Sequence, residues 1–102
     1  YSLSAGGPIL HPNVDAIALV PISPHTLSNR PITVSADSKI EVSLVQIDAA
    51  YVSFDGQFQL DLEAGDKIVV RRAAQKVTLL HPSEYCYFEM LRIKLNWGWF
   101  FC

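Results

Sequence analysis

The feature that most constrains the fold is a series of short alternating apolar and polar segments, separated by turn-forming residues. The clearest case is the pair 51–54 and 57–62, which flanks Asp55-Gly56. Asp-Gly between alternating segments is typical of a type I′ β-hairpin, because both central positions of that turn require a positive φ. Phe58, Leu60 and Leu62 then share one face of the second strand. The sequence therefore predicts a tight antiparallel hairpin at this point.

The rest of the chain shows the same pattern of short segments bounded by proline, glycine, serine and aspartate. Further strands are predicted at 15–22, 31–35, 39–45, 67–71 and 76–80. Strands this short and this closely spaced favour antiparallel pairing over the long crossover connections that a parallel sheet needs.

A single helix is predicted at the C-terminal end, over residues 84–96. Phe88, Leu91 and Leu95 recur there at helical spacing. Ser83 is the predicted N-cap, and Gly98 the predicted C-terminal cap. We expect one domain over residues 1–102, mainly β, with an antiparallel β-sandwich-like architecture and one C-terminal helix.

Composition excludes several classes of function. The formal net charge is −2, so there is no general basic field to attract nucleic acid or an anionic membrane. No apolar run reaches the roughly 18 residues of a membrane span. The two cysteines are too few for a disulfide framework. Reduced thiols in a cytoplasmic protein are the expectation.

Common catalytic motifs are also missing from the sequence. It contains no phosphate-binding P-loop, no G-x-S-x-G elbow and no cysteine and histidine cluster with metal-ligand spacing. The three histidines, His11, His25 and His81, are far apart and lie beside proline-bearing turns. We assign them structural or surface positions, and no catalytic or metal-ligating residue is predicted in this chain.

The opening segment, residues 1–8, is the most informative for function. It combines a tyrosine, two serines and two glycines. Hydroxyl and free backbone N–H groups can bind a ribose or a phosphate, glycine allows close approach, and an aromatic ring can cover a flat heterocycle. This composition also fits an ordinary glycine-rich loop, so it does not by itself identify a ligand.

Several stretches together resemble the C-terminal half of bacterial NAD kinases. They are YSLSAGGPIL at 1–10, DAIALVP at 15–21, PHTLSNRP at 24–31, DGQ at 55–57, GDKI at 65–68 and HPSEYCYFEMLRIKLNW at 81–97. The resemblance extends over nearly the whole chain. The first and third of these stretches, at this separation, are specific, whereas DGQ alone is not.

The resemblance implies a defined reaction. Enzymes of this family transfer the γ-phosphoryl group of ATP, or of polyphosphate in some members, to the 2′-hydroxyl of the adenosine ribose of NAD, giving NADP. They require a divalent metal, usually Mg²⁺, and assemble as homodimers or homotetramers. An N-terminal α/β domain and a C-terminal β-rich domain enclose the NAD site.

The family's Gly-Gly-Asp-Gly motif, which supplies the catalytic base, and its Asn-Glu or Asn-Asp pair are both missing from this sequence. We therefore expect a fragment without the N-terminal domain, inactive by itself, because phosphoryl transfer depends on positioning and charge stabilisation. Alternatives are a non-catalytic β-sandwich binding module and a relative of the lipid kinases.

The resemblance also assigns site residues. Tyr1 and Ser4 are expected to contact NAD through their side chains, and Ser2 and Leu3 through their backbone groups. Gln57 matches a glutamine that also reaches the dinucleotide. Ser23 is a weaker candidate for contact with the ligand of a neighbouring subunit. His25 and Arg30 are assigned structural roles.

Overall fold

The computed structural model describes residues 1–23, 28–46 and 48–98. Most of the regular structure in these ranges is β, as the sequence predicts. The elements are β1 (Ala16–Leu19), β2 (Ile32–Ser35), β3 (Ile40–Ser43), β4 (Ala50–Phe54), β5 (Phe58–Leu62), β6 (Lys67–Val70) and α1 (Tyr87–Leu95). The predicted mainly β class with one C-terminal helix is confirmed. No helix in the described ranges has the length and apolarity needed to cross a membrane.

The six strands form three antiparallel pairs: β1 with β2, β3 with β6, and β4 with β5. In sequence, the β4–β5 hairpin lies between the two strands of the β3–β6 pair. Within the described residues, the strands are thus arranged as three two-stranded sheets and not as two broad layers. Each sheet keeps two edges without a strand partner, and a two-stranded sheet in water is only marginally stable.

The turn of the β4–β5 hairpin has the two positive φ values that a type I′ turn requires, and three residues, 55–57, separate the paired Phe54 and Phe58. Asp55 and Gly56 have φ values of 51° and 69°. The backbone N–H of Gln57 donates to the carbonyl of Phe54 at 3.0 Å. Phe54 lies opposite Phe58, and the centroids of their rings are 5.9 Å apart. The hairpin is therefore closed tightly at its tip, with an aromatic pair beside the turn.

An ion pair cluster connects the β1–β2 sheet to the segment that follows β6. Nη2 of Arg72 lies 2.6 Å from Oδ1 of Asp37, and Nη1 lies 3.4 Å from Oδ2 of Asp15. Ala36, next to Asp37, is buried, and its N–H donates to the carbonyl of Asp15 at 3.1 Å. All three charged side chains are substantially exposed, so the cluster contributes little more than about 1 kcal/mol per pair.

The helix begins and ends at different residues from those predicted. Cys86 is the N-cap, and its Sγ accepts a hydrogen bond from the N–H of Glu89 at 3.3 Å. The prediction of Ser83 was wrong because Ser83 lies inside a preceding turn, which closes between residues 82 and 85. At the other end, Asn96 adopts the left-handed conformation with φ 53°, so Gly98 is not the cap.

One further expectation concerns the cysteines. Cys86 is part of a disulfide, so the expectation of reduced thiols is wrong for this residue. Cys102, the terminal aromatics at 99–101, and His25 lie outside the described residues.

The predicted strand 76–80 is also absent. The segment forms no ladder with any described strand, and its apolar side chains face solvent: Val77 is 89% exposed, Leu79 74% and Leu80 92%. An alternating sequence becomes a strand only when another backbone satisfies its N–H and C=O groups. The segment therefore has the composition of a strand, but no described strand pairs with it.

The described part of the chain has a very small apolar interior. Ala36 and Leu91 are its buried hydrophobic residues, at 5% and 8% exposure. The radius of gyration is 17.0 Å, whereas a compact domain of about 100 residues has roughly 13 Å. Apolar side chains from all three sheets remain accessible, which indicates that stabilising burial must come from other polypeptide.

We expect the isolated 102-residue chain to be marginally stable or to self-associate, because many large apolar side chains of its described residues are exposed. Sedimentation velocity and urea unfolding measure both properties. A chain carrying Leu79→Lys and Leu80→Lys should self-associate less, whereas Gln75→Lys, which adds charge at an already polar site, should change association little. A strictly monomeric chain with a sharp unfolding transition and a stability of several kcal/mol would contradict this expectation.

Candidate functional site

The opening segment folds into a tight turn that directs its carbonyl groups inward. The carbonyls of Tyr1, Ser2 and Leu3 accept hydrogen bonds from the N–H groups of Ala5, Gly7 and Gly6 at 3.1, 2.7 and 3.1 Å. Within the described residues, the N–H groups of residues 2–4 have no such partner. They remain available to donate to a ligand.

Ser2 holds the shape of this turn. Its hydroxyl donates to the carbonyl of Pro8 at 3.2 Å. Gly7 packs so closely that a Cβ there would collide with the Ser2 side chain and with Val20, and would lie 2.9 Å from the carbonyl oxygen of Ser2. The hydroxyl of Ser2 and the missing side chain of Gly7 are thus used within the protein.

Tyr1 connects the opening segment to the tip of the β4–β5 hairpin. Its hydroxyl donates to the backbone carbonyl of Asp55 at 3.0 Å. A Cβ on Gly56 would lie 2.6 Å from that hydroxyl oxygen. Gln57, the next residue, has an exposed side chain. The opening segment, predicted to bind NAD, therefore directly contacts the turn that precedes Gln57, the other residue predicted to bind it.

Helix α1 forms a groove with the other side of the opening segment. The groove has a volume of about 390 Å³, and its walls include Tyr1, Ser2 and Leu3 on one side and Tyr87 and Leu91 on the other. Its volume falls in the range of small-molecule sites. Gln57 does not line it. Tyr1 thus contributes both to this groove and to the contact with the hairpin tip.

Two contacts hold α1 against the segment after the turn. The hydroxyl of Tyr87 donates to the carbonyl of Leu10 at 3.4 Å. His11 packs edge-on against the ring of Tyr87, with centroids 4.9 Å apart, and its Nδ1 accepts from the N–H of Asn13 at 3.1 Å. The structural assignment of His11 from sequence agrees with these contacts. His81 likewise stacks on Tyr85, with centroids 3.9 Å apart.

The remaining predicted site residues are exposed. The side chains of Leu3 and Ser4 face solvent, and the Ser4 hydroxyl has no hydrogen bond to the described part of the protein. Ser23 has a φ of 50° and is also exposed, at the border of the undescribed residues 24–27. Sequence reasoning missed the carbonyl of Asp55 and the close packing of Gly56, because a backbone acceptor and a missing Cβ leave no distinctive sequence signal.

The described residues do not supply a metal centre. No three of their His, Cys, Asp and Glu side chains lie close enough together to hold an ion. A second cavity, about 420 Å³, lies beside Lys39, Arg71 and Arg72, but none of the predicted site residues lines it. Arg72 is engaged there by Asp15 and Asp37, and Lys39 by Glu41.

Known proteins provide an independent comparison. The family model described as the ATP-NAD kinase C-terminal domain matches residues 1–82. The NAD kinase of Nitrosospira multiformis is 57% identical over 98 residues, covering 96% of this chain and 33% of that protein. The NAD kinase of Thiobacillus denitrificans is also 57% identical over 98 residues, covering 96% and 34%.

A third relative extends the same pattern to another organism. The NAD kinase of Pseudoalteromonas translucida is 50% identical over 100 residues, with 96% of this chain and 34% of the relative covered. The chain thus spans about a third of the length of the curated relatives that it matches. By the family match over residues 1–82 and by these identities, the chain belongs to the NAD kinase family and corresponds to its C-terminal domain.

Proposed function

We propose that this chain forms the dinucleotide-binding part of an NAD kinase, which phosphorylates the 2′-hydroxyl of the adenosine ribose of NAD to give NADP. The observation that carries the proposal is the hydrogen bond from Tyr1 to Asp55. It places the opening segment beside the turn that precedes Gln57. Two separate stretches of the family resemblance thereby border one surface.

The chemistry of this surface suits a nucleotide. The Ser4 hydroxyl and the N–H groups of residues 2–4, which have no backbone partner among the described residues, offer donors for ribose or phosphate oxygens. The side-chain amide of Gln57 both donates and accepts. The ring of Tyr1 is largely exposed, so it can cover a flat base. The backbone of Ser2 and Leu3 completes the proposed set of NAD-contacting groups.

The rest of the reaction depends on parts that this chain does not provide. The phosphoryl donor, ATP or polyphosphate, and the catalytic base are assigned to the N-terminal domain and the cleft between the domains. The described residues do not fit a Mg²⁺ site, so no step through a metal is derived from them. The role proposed for this chain is to hold NAD in position, which is most of what a phosphoryl-transfer enzyme contributes.

The proposal also covers the oligomeric state and cellular location of the complete enzyme. The complete enzyme is proposed to be a cytoplasmic homodimer or homotetramer, in which Ser23 approaches the ligand of a neighbouring subunit. The exposed position of Ser23 supports such a contact. The names of the relatives favour this function over a lipid kinase or a stand-alone binding module.

Removal of single polar contacts tests the site. For this purpose residues 1–102 are joined to the upstream part of the N. multiformis NAD kinase; we call this protein the chimera. In the chimera, Ser4→Ala or Gln57→Ala should weaken NAD binding by roughly 1–3 kcal/mol, the usual cost of losing a buried polar contact. Isothermal titration calorimetry with NAD measures the effect.

Matched controls are available elsewhere in the chain. Ser43→Ala and Gln75→Ala remove exposed side chains of the same types from other positions. They should leave NAD affinity unchanged within about twofold. If Ser4→Ala and Gln57→Ala behave like these controls, the assigned NAD site is wrong.

The shape of the opening turn is tested at Gly7. Because a Cβ at this position collides with Ser2 and Val20, Gly7→Ala should displace the turn and reduce NAD affinity by about tenfold or more, as overpacking costs typically 1–3 kcal/mol. Gly98→Ala is the control, since no atom of the described residues lies within 4 Å of a Cβ added there. Equal NAD affinity in the two variants would show that the turn does not shape the site.

A further inference from the structure

We propose that Tyr1 and Gly56 act together as a latch that positions the opening segment against the hairpin tip, with Tyr1 as a positioning residue. The proposal deepens the function proposed above and rests on it. The term "latch" here means the hydrogen bond from the Tyr1 hydroxyl to the Asp55 carbonyl, together with the packing of that hydroxyl on Gly56.

The first step is that the Tyr1 hydroxyl is already engaged. It donates its proton to a backbone carbonyl of the hairpin at 3.0 Å. A hydroxyl has one proton to donate, so this group does not also donate to a ligand while the contact is present. Tyr1 therefore contributes to NAD binding through its ring and through the position that its hydroxyl imposes.

The second step is that a side chain at position 56 would disturb the latch for two separate reasons. The φ of Gly56, 69°, lies in the left-handed region, which a type I′ turn demands. In addition, an added Cβ would meet the Tyr1 hydroxyl oxygen at 2.6 Å, whereas the next nearest Tyr1 atom, Cζ, would be 3.6 Å away. The steric obstacle is therefore the hydroxyl group itself, and the ring would make an ordinary contact.

The third step is that this contact joins the two candidate binding segments. Asp55 and Gly56 immediately precede Gln57, and Tyr1 begins the stretch that contains Ser4. A change that separates Tyr1 from the turn therefore alters the distance between two groups assigned to one ligand. Misplacement of binding groups by about 1 Å is enough to reduce catalytic efficiency strongly.

The test is a double-mutant cycle in the chimera, with the KM for NAD, the KM for ATP and Tm measured for each protein. Tyr1→Phe removes the hydroxyl and keeps the ring, and the KM for NAD should rise roughly two- to tenfold. Gly56→Ala would displace the same hydroxyl and also strain the turn, so it should raise this KM at least as much. The KM for ATP should stay within about twofold in both variants, because the latch touches only the NAD-binding segments.

The combination of the two changes is the decisive measurement. In the Tyr1→Phe protein, the added Cβ at position 56 meets no hydroxyl and only the backbone strain remains, so the double variant should raise the KM for NAD by much less than the product of the two single effects. Such strong non-additivity is expected for residues in direct contact. Multiplicative effects of the two substitutions on this KM would overturn the latch.

Gly65→Ala serves as the matched control. Gly65 also has a positive φ, 93°, and lies in a turn next to β5, but nothing is within 4 Å of its Cβ position. This variant should lower Tm through backbone strain and leave the KM for NAD unchanged. A KM increase as large as that of Gly56→Ala would assign the effect to turn strain and overturn the proposal.

The cycle also separates failure of the latch from failure of the proposed function. If Ser4→Ala and Gln57→Ala leave NAD affinity unchanged while the Tyr1 and Gly56 substitutions are still non-additive in Tm, the contact exists but the NAD site is wrong. If Ser4→Ala and Gln57→Ala weaken NAD binding while the cycle is additive in both KM and Tm, the site stands and the latch is wrong.

Discussion

The backbone hydrogen bonds of three separate strand pairs are the interaction on which this structure depends, because side-chain burial within the chain is so limited. Each pair satisfies the N–H and C=O groups between its two strands and leaves the outer edges open. Only Ala36 and Leu91 are buried hydrophobic residues among those described. The local geometry is therefore well defined by turns and strand register, whereas the hydrophobic stabilisation that normally accompanies a sheet requires further polypeptide.

This imbalance explains which parts of the fold could be predicted from the sequence. The hairpin was predictable because Asp55-Gly56 encodes its own turn through local φ preferences. The structure of segment 76–80 was not predictable, because its alternating pattern indicates only that the residues suit a strand. The pattern does not indicate which strand would pair with it. The start of α1 was missed for a related reason: the turn at 82–85 competes with the helix for the same residues, and Cys86 is an unusual N-cap.

The candidate site likewise has features that the sequence could predict and features that it could not. Residues 1–4 and Gln57 could be proposed from the resemblance, since they lie in stretches with distinctive composition. Which of their hydroxyl groups bond within the protein could not be predicted, because that depends on the acceptors that the folded chain brings close to each one. Ser2 donates to Pro8 and Tyr1 to Asp55, whereas the Ser4 hydroxyl faces solvent. Two of these three hydroxyl groups are therefore used in contacts within the chain, and the third is the one proposed to contact the ligand.

The contact between Tyr1 and Asp55 joins residues that are 54 positions apart in sequence, and this separation sets an order of assembly. A hairpin closed by a short loop forms within microseconds because its strands are neighbours along the chain. Contact between Tyr1 and the carbonyl of Asp55 instead requires closure of a long loop. The entropy cost of loop closure slows the formation of such contacts. We therefore expect the contact between the opening segment and the hairpin tip to form after the hairpin itself.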